Sequence, residues 1–258
     1  MTVHTLNIDY ADGTSKKIGG DGKFNVLSFA AQSPVFKPIY ETLEGRDGEV
    51  DMGGNFEGRV LRAEIKFNSS DIMAFYALRD EIYRLFHTRE MFVLTSSRQP
   101  HKRWNVRVQS VYYVEPQGGG RYGSFTLEFK SDRHYAVGKL VTYTYSSSFF
   151  SLHNEGDVLI DPREAYLSIS FKGASKDLEI IRGRKSDVEP ATSFRYTGET
   201  TENETITLEG LRYMKGSTSI LKDTNKGLIT LARGMNSFSV LGTKGGFKVT
   251  ISFRPCYL

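Results

Sequence analysis

Three groupings of residues in this 258-residue chain have the makings of chemistry. Gly118, Gly120 and Gly123 satisfy G-x-G-x-x-G. That motif holds a pyrophosphate when it follows a strand and opens a helix, because the helix's first N–H groups then face the phosphates. Here the glycines lie between two alternating runs, Arg103–Val114 and Phe125–Phe129, so the segment predicts a hairpin tip with no helix dipole behind it. Arg98, Lys102, Arg103 and Arg107 surround Trp104, which suggests phosphate contacts beside a stacking ring. Alternation, however, puts Trp104, Val106 and Val108 on one face and Arg103 and Arg107 on the other. The pattern predicts a solvated strand face over a core tryptophan, and an acidic protein as its partner ahead of nucleic acid. The third grouping is the Gly-rich stretch Glu41–Glu57, which carries Glu41, Glu44, Asp47, Glu49, Asp51 and Glu57. It reads as a solvated loop or as an arm that reaches a neighbouring subunit, and composition alone leaves both open. Glu44, Arg46, Asp47, Glu49 and Asp51 are its candidate subunit-contact residues.

Nothing else in the chain matches a reactive constellation. His4, His87, His101, His134 and His153 lack metal-ligand spacing such as H-E-x-x-H, and no serine sits in a G-x-S-x-G elbow. Asn203-Glu204-Thr205 is a glycosylation sequon without the secretory context that would use it. The expectation is a protein without catalytic residues, metal or cofactor.

The elements that must position these residues are mostly strands. Aromatic residues make up 12% of the chain, and twenty-five glycines against seven prolines suit many short turns. A formal charge of +4 is too small to mark a nucleic-acid binder. A lone Cys256 excludes an intrachain disulfide and predicts folding in a reducing cytoplasm. The sequence predicts neither a secretory leader nor membrane insertion.

Leu6, Ile8 and Tyr10 alternate before Asp12-Gly13, which predicts a first hairpin. Lys23–Ala31 reads as a strand, and Pro34 with Pro38 as a turn. Leu61, Ala63, Ile65 and Phe67 alternate with charged residues. Asn68-Ser69-Ser70-Asp71 then caps a helix over 71–86, whose apolar residues include Phe75 and Ile82. Met91–Thr95 and Arg103–Val114 follow as strands. Leu140–Asp157 loses this regularity and is expected to be a linker. Beyond it, short strands are expected at Tyr166–Phe171, Leu178–Ile181, Thr205–Leu208, Gly227–Leu231, Asn236–Leu241 and Phe247–Phe253. The expected domains are therefore 1–139, a linker 140–157, and an antiparallel β-sandwich over 158–258.

The middle of the chain resembles the distal tail protein family of siphophages. The resemblance rests on Gly45-Arg46-Asp47-Gly48, the strand Leu61–Phe67, the helical run Ala77-Leu78-Arg79-Asp80-Glu81-Ile82-Tyr83-Arg84-Leu85, the strand Trp104–Val108 and Phe125–Gly138. Softer matches follow in Asn154-Glu155-Gly156, Asp161-Pro162-Arg163, Leu231-Ala232-Arg233-Gly234-Met235-Asn236 and Ile251–Leu258. The resemblance implies a mainly β fold, in which an N-terminal ring-forming β-sandwich-like domain with one helix precedes a galectin-like β-sandwich. It implies a non-enzymatic virion protein, made in the host cytoplasm, whose homo-hexameric ring joins the tail tube to the baseplate. Its partners would be other copies of itself, the major tail tube protein, the tail-associated hub or lysin protein, and receptor-binding or other baseplate proteins. Specific nucleic-acid binding is not implied. A carbohydrate-binding module that contacts the host surface is the alternative, favoured if Tyr166, Phe194 or Tyr213 form an aromatic platform.

Overall fold

A computed structural model describes residues 4–183 and 191–258. The chain divides into two compact units, 1–136 with the terminal Leu258, and 137–257. Both are built almost entirely from antiparallel strands.

In the first unit β1 (Leu6–Asp9), β2 (Ser15–Ile18) and β3 (Phe24–Ala31) are followed by β4 (Phe36–Thr42) and β5 (Glu49–Phe56). Next come β6 (Val60–Asn68), the helix α1 (Ile72–Phe86), β7 (Phe92–Ser96), β8 (Gln99–Val108) and β9 (Tyr122–Ser131). Seven of these strands pair in the order β2-β1-β7-β8-β9-β6-β3, while β4 and β5 form a separate two-stranded ribbon. The alternation read from the sequence is the physical cause of the sheet's two faces. Leu61, Ala63, Ile65, Phe67, Trp104, Val106, Phe125, Leu127 and Phe129 all point into one core.

α1 starts where the sequence predicts. Asp71 is in extended backbone conformation and its carboxylate accepts from the N–H groups of Met73 and Ala74, both at 2.9 Å. Phe75, Ile82 and Phe86 are the buried residues of the helix. Phe75 lies 5.2 Å from Phe67, and Phe86 lies 5.7 Å from Phe129, ring centre to ring centre. Each such fully buried side chain contributes about 1.5–3 kcal/mol. At 15 residues α1 is too short to span a membrane, and no helix among the described residues is long and apolar enough to do so.

Gly120 and Gly123 are explained by packing against α1 and the sheet core. A Cβ on Gly120 would stand 2.6 Å from Ile72 Cδ1, and one on Gly123 would stand 2.7 Å from the Phe67 ring and 2.8 Å from that of Phe75. Absent side chains there let α1 settle on the sheet. The strand expected over Arg103–Val114 stops at Val108. Tyr112 and Val114 are instead drawn into the core from irregular backbone, with Tyr112 5.6 Å from Tyr83 of the helix. Burial, and then Tyr83, push the Tyr112 hydroxyl up to about 12.

The second part of the chain contains β10 (Ala136–Val137), β11 (Val141–Tyr145), β12 (Phe149–Asn154), β13 (Leu167–Arg182) and β14 (Thr192–Thr200). β15 (Thr205–Glu209), β16 (Arg212–Lys215), β17 (Thr218–Ser219), β18 (Gly234–Phe253) and β19 (Cys256–Tyr257) complete it. An eight-stranded sheet runs β11-β18-β13-β15-β16-β17, with β12 on β18 and β14 on β13. Residues 140–157 thus do not link two domains. They supply β11 and β12, both hydrogen-bonded to β18. The short strands expected at 166–171 and 178–181 are one long strand, as are those at 236–241 and 247–253; their pairing shifts register between Gly173 and Glu179 on β13, opposite Phe247 to Leu241 on β18. Gly227–Leu231 contributes only a bridge from Leu231 to Ile160.

Two of the motif pieces close this unit. Asn154 is buried and donates to Ala232 O at 3.2 Å, while its own oxygen accepts from Gly156 N at 3.0 Å. Asn236 accepts from Ala232 N at 2.8 Å and donates back to Ala232 O at 2.9 Å. Both asparagines therefore satisfy backbone groups that would otherwise be buried without partners.

Candidate functional site: an exposed hairpin arm

All five candidate contact residues fall on the β4–β5 ribbon. Glu44, Arg46 and Asp47 lie on its turn, between Thr42 and Glu49; Glu49 and Asp51 lie on β5, opposite Thr42 and Tyr40. The solvated-loop reading of Glu41–Glu57 is replaced by ordered pairing, and the turn expected around Pro38 is part of a strand, where Pro38 stands opposite Gly54. A proline is tolerated there because a ribbon strand has a free edge that needs no donor.

The ribbon is held together locally. Phe36 packs edge-on against Phe56 at 5.3 Å, and Phe56 stacks on His134 at 4.7 Å. Lys37 lies 3.7 Å from Glu57, an exposed pair worth little. Glu57 N donates to Val35 O at 2.9 Å, so the two ends of the ribbon meet at its base. A bulge between Pro38 and Tyr40 bends it, with Gly53 in the left-handed region at φ 88° and its N–H bonded to Asp51 Oδ1. Gly54 permits the close approach of the strands, since a Cβ there would meet Lys37 O at 2.2 Å.

The residues that sequence reasoning missed here are apolar. Phe36, Ile39, Tyr40, Leu43, Met52 and Phe56 are each 47–55% exposed. Phe36 and Tyr40 alternate with Ile39 along β4, so both faces of the ribbon present apolar surface. A two-stranded ribbon is at best marginally stable by itself in water, and apolar surface grouped on one protrusion marks an interaction site. The Phe36-x-Pro38-x-Tyr40 alternation carried the signal, and the prolines hid it.

Other candidates resolve into packing. Trp104 is buried, with the Arg59 guanidinium 5.0 Å over its ring, so it presents no face on which a base could stack. Arg103 faces away and reaches Asp9 at 3.3 Å. Of the three possible platform aromatics, Phe194 and Tyr213 are core residues, and Tyr213 donates its hydroxyl to Gly227 O at 2.9 Å; Tyr166 alone is exposed. A groove of about 770 Å³ beside the C-terminal end of α1 is lined by Tyr10, Asp12, Lys16, Glu81, Arg84 and His87 among others. It mixes both signs of charge, so its walls select no single ligand chemistry.

A family model described as phage tail protein RIFT-related domain matches residues 11–131, the stretch that contains the ribbon, α1 and six of the seven paired strands. The solved structure of Dit from phage SPP1, described as a paradigm of hub adsorption apparatus in Gram-positive infecting phages, aligns over 100% of both chains with a TM-score of 0.72 at 16% identity. A chain of the phage p2 baseplate in its activated conformation with Sr aligns over 96% of this chain and 98% of its own, with a TM-score of 0.43 at 10% identity. No curated protein sequence matches the chain. The chain is mainly β, and its fold follows that of the SPP1 Dit protein.

Proposed function

We propose that this chain is a non-enzymatic assembly hub of the phage tail tip. In this reading six copies form a ring through their RIFT-related domains. The ring joins the major tail tube protein to the tail-associated hub protein and to receptor-binding or other baseplate proteins, and the protein resides in the virion after synthesis in the host cytoplasm. The observation that carries the reading is the ribbon at Phe36–Phe56: an element apolar on both faces and charged at its tip, whose Phe36, Ile39, Tyr40, Leu43, Met52 and Phe56 are about half exposed. A ring closes through heterologous contacts, in which each copy offers two different complementary surfaces. An arm that leaves its own domain is one such surface, and Glu44, Arg46, Asp47, Glu49 and Asp51 are its contact candidates.

The ends of the ribbon meet at Val35 and Glu57, so residues 36–56 can be replaced by a short Gly-Ser link without pulling the domain apart. The excised protein is expected to run as a monomer in light scattering at concentrations where the full chain is a ring. Rings of unchanged mass from the excised protein would refute the arm's role.

A further inference from the structure

The sheet of the first unit has a second face, opposite its core. Alternation along β6, β8 and β9 sends Arg62, Glu64, Lys66, Arg107, Glu128 and Lys130 outward, between the buried residues Leu61, Ala63, Ile65, Val106, Leu127 and Phe129. Register fixes their neighbours. Arg107 stands directly opposite Lys130, and Arg62 directly opposite Glu128. Like charges directly across a ladder destabilise a sheet, so the Arg107–Lys130 pair is a local liability in the single chain. None of these six side chains enters an ion pair among the described residues; Lys66 instead lies 4.8 Å over the Tyr122 ring. Four cations therefore face outward against two carboxylates.

The arm has the opposite balance. Between Glu41 and Asp51 it holds five carboxylates and one guanidinium, all exposed and none in an ion pair among the described residues. The chain thus carries an acidic protrusion and a cationic sheet face, and neither neutralises the other within one molecule. A head-to-tail assembly requires such a non-identical pair of surfaces.

We propose that the outward face carrying Arg62, Arg107 and Lys130 is the receiver for the acidic arm of a second copy of this chain. The inference rests on the arm-crossing reading above. Glu49 and Asp51, which lie along β5 and not at the turn, reach the receiver as the arm lies across its strands. The apolar residues of the arm then lose water over the aliphatic stems of the arginine and lysine side chains.

Native mass spectrometry of the full-length chain tests this with three variants: Arg107→Glu with Lys130→Glu, Glu49→Lys with Asp51→Lys, and all four together. Each double variant is expected to shift from ring to monomer, with the contact weakened at least tenfold, and the quadruple variant is expected to reassemble. Emission from the buried Trp104 checks that the domain remains folded. Assembly of the Arg107→Glu/Lys130→Glu variant at wild-type strength overturns the inference, as does a folded quadruple variant that stays monomeric. If excision of 36–56 gives monomers while Arg107→Glu/Lys130→Glu still assembles, the arm reading stands and its receiver lies elsewhere. If the excised chain still assembles, both fall. Loss of duplex DNA binding in the Arg107→Glu/Lys130→Glu variant, with assembly unchanged, would assign the face to nucleic acid and overturn the proposal.

Discussion

Gly123→Ala is the sharpest test of how the helix is seated. Gly123 belongs to β9, opposite Phe67 on β6. An added Cβ would stand 2.7 Å and 2.8 Å from two atoms of the Phe67 ring and 2.8 Å from Phe75 Cε2. Neither ring can swing clear. Phe67 is fully buried and is flanked by Phe24 at 5.9 Å, Phe75 at 5.2 Å and Phe125 at 6.4 Å. Forcing one methyl into such a cluster costs about 1–3 kcal/mol. For a unit of this size that corresponds to a fall in melting temperature of roughly 3–12 °C. Trp104 is the only tryptophan and lies in the same core, so its fluorescence follows this unit during a thermal scan. Gly246→Ala in the second unit, read by calorimetry, is the control for adding a methyl as such, because a Cβ there meets nothing within 4 Å and the residue is outside the left-handed region. Adding Phe75→Leu to Gly123→Ala removes the ring atom that the methyl strikes. The double variant should then be less destabilised than the sum of the two singles, a coupling expected between residues in contact. A Gly123→Ala melting temperature within 1 °C of the parent, on the order of the scatter for neutral surface changes, would refute the seating argument.

Three further outcomes follow from the same contacts. Asp71 is held below the usual carboxylate range by the Ala74 N–H, then by the Ser70 hydroxyl, and also by the Met73 N–H. Its stabilisation is therefore present above the unfolded value of about 3.9 and disappears as pH falls through the lower folded value. Asp71→Ala should lower the melting temperature at pH 7, and the gap should close on acidification; a pH-independent gap would contradict the cap. Asn236→Ala leaves the Ala232 N–H buried without its side-chain acceptor, at a cost of about 1–3 kcal/mol, read as a loss of calorimetric stability. Tyr112 is raised by burial to about 12, so its neutral form is favoured in the fold. That contribution is complete below the unfolded value of about 10 and is lost as pH rises through the folded one. Ultraviolet absorbance titrations of the folded parent and of folded Tyr112→Phe should therefore coincide near pH 10 and separate only at higher pH, whereas a difference of one ionising tyrosine at about pH 10 would count against the burial argument.

Much of the first unit is legible because its determinants are local. Asp71 caps α1 with groups two and three residues away, and period-two alternation at Leu61–Phe67 needs no distant partner to be recognised. Failures came where an ordinary rule met an unusual backbone. Pro34 and Pro38 suggested a turn and the Gly-rich stretch Glu41–Glu57 left a solvated loop open, yet Pro38, Gly53 and Gly54 belong to a bent, tight ribbon whose free edges forgive a missing donor. Alternation at Tyr112 and Val114 continued past the end of β8, since a core can draw in residues from irregular chain as readily as from a strand. The stretch 140–157, rich in Ser and Tyr, lacked the aliphatic signal of a strand. It became two because β18 offered it a ladder.

From the sequence by itself came the mainly β composition, the single capped helix, the inward side of each regular strand and the sign of charge along Glu41–Asp51. Each depends on residues within a few positions of one another. Tertiary structure alone decided that β13 and β18 run unbroken past their bulges, that the acidic stretch is a ribbon with apolar sides, and that Arg107 stands beside Lys130. Those outcomes depend on register between strands far apart in the chain, and register is set by the packing of a whole core, which no local pattern encodes.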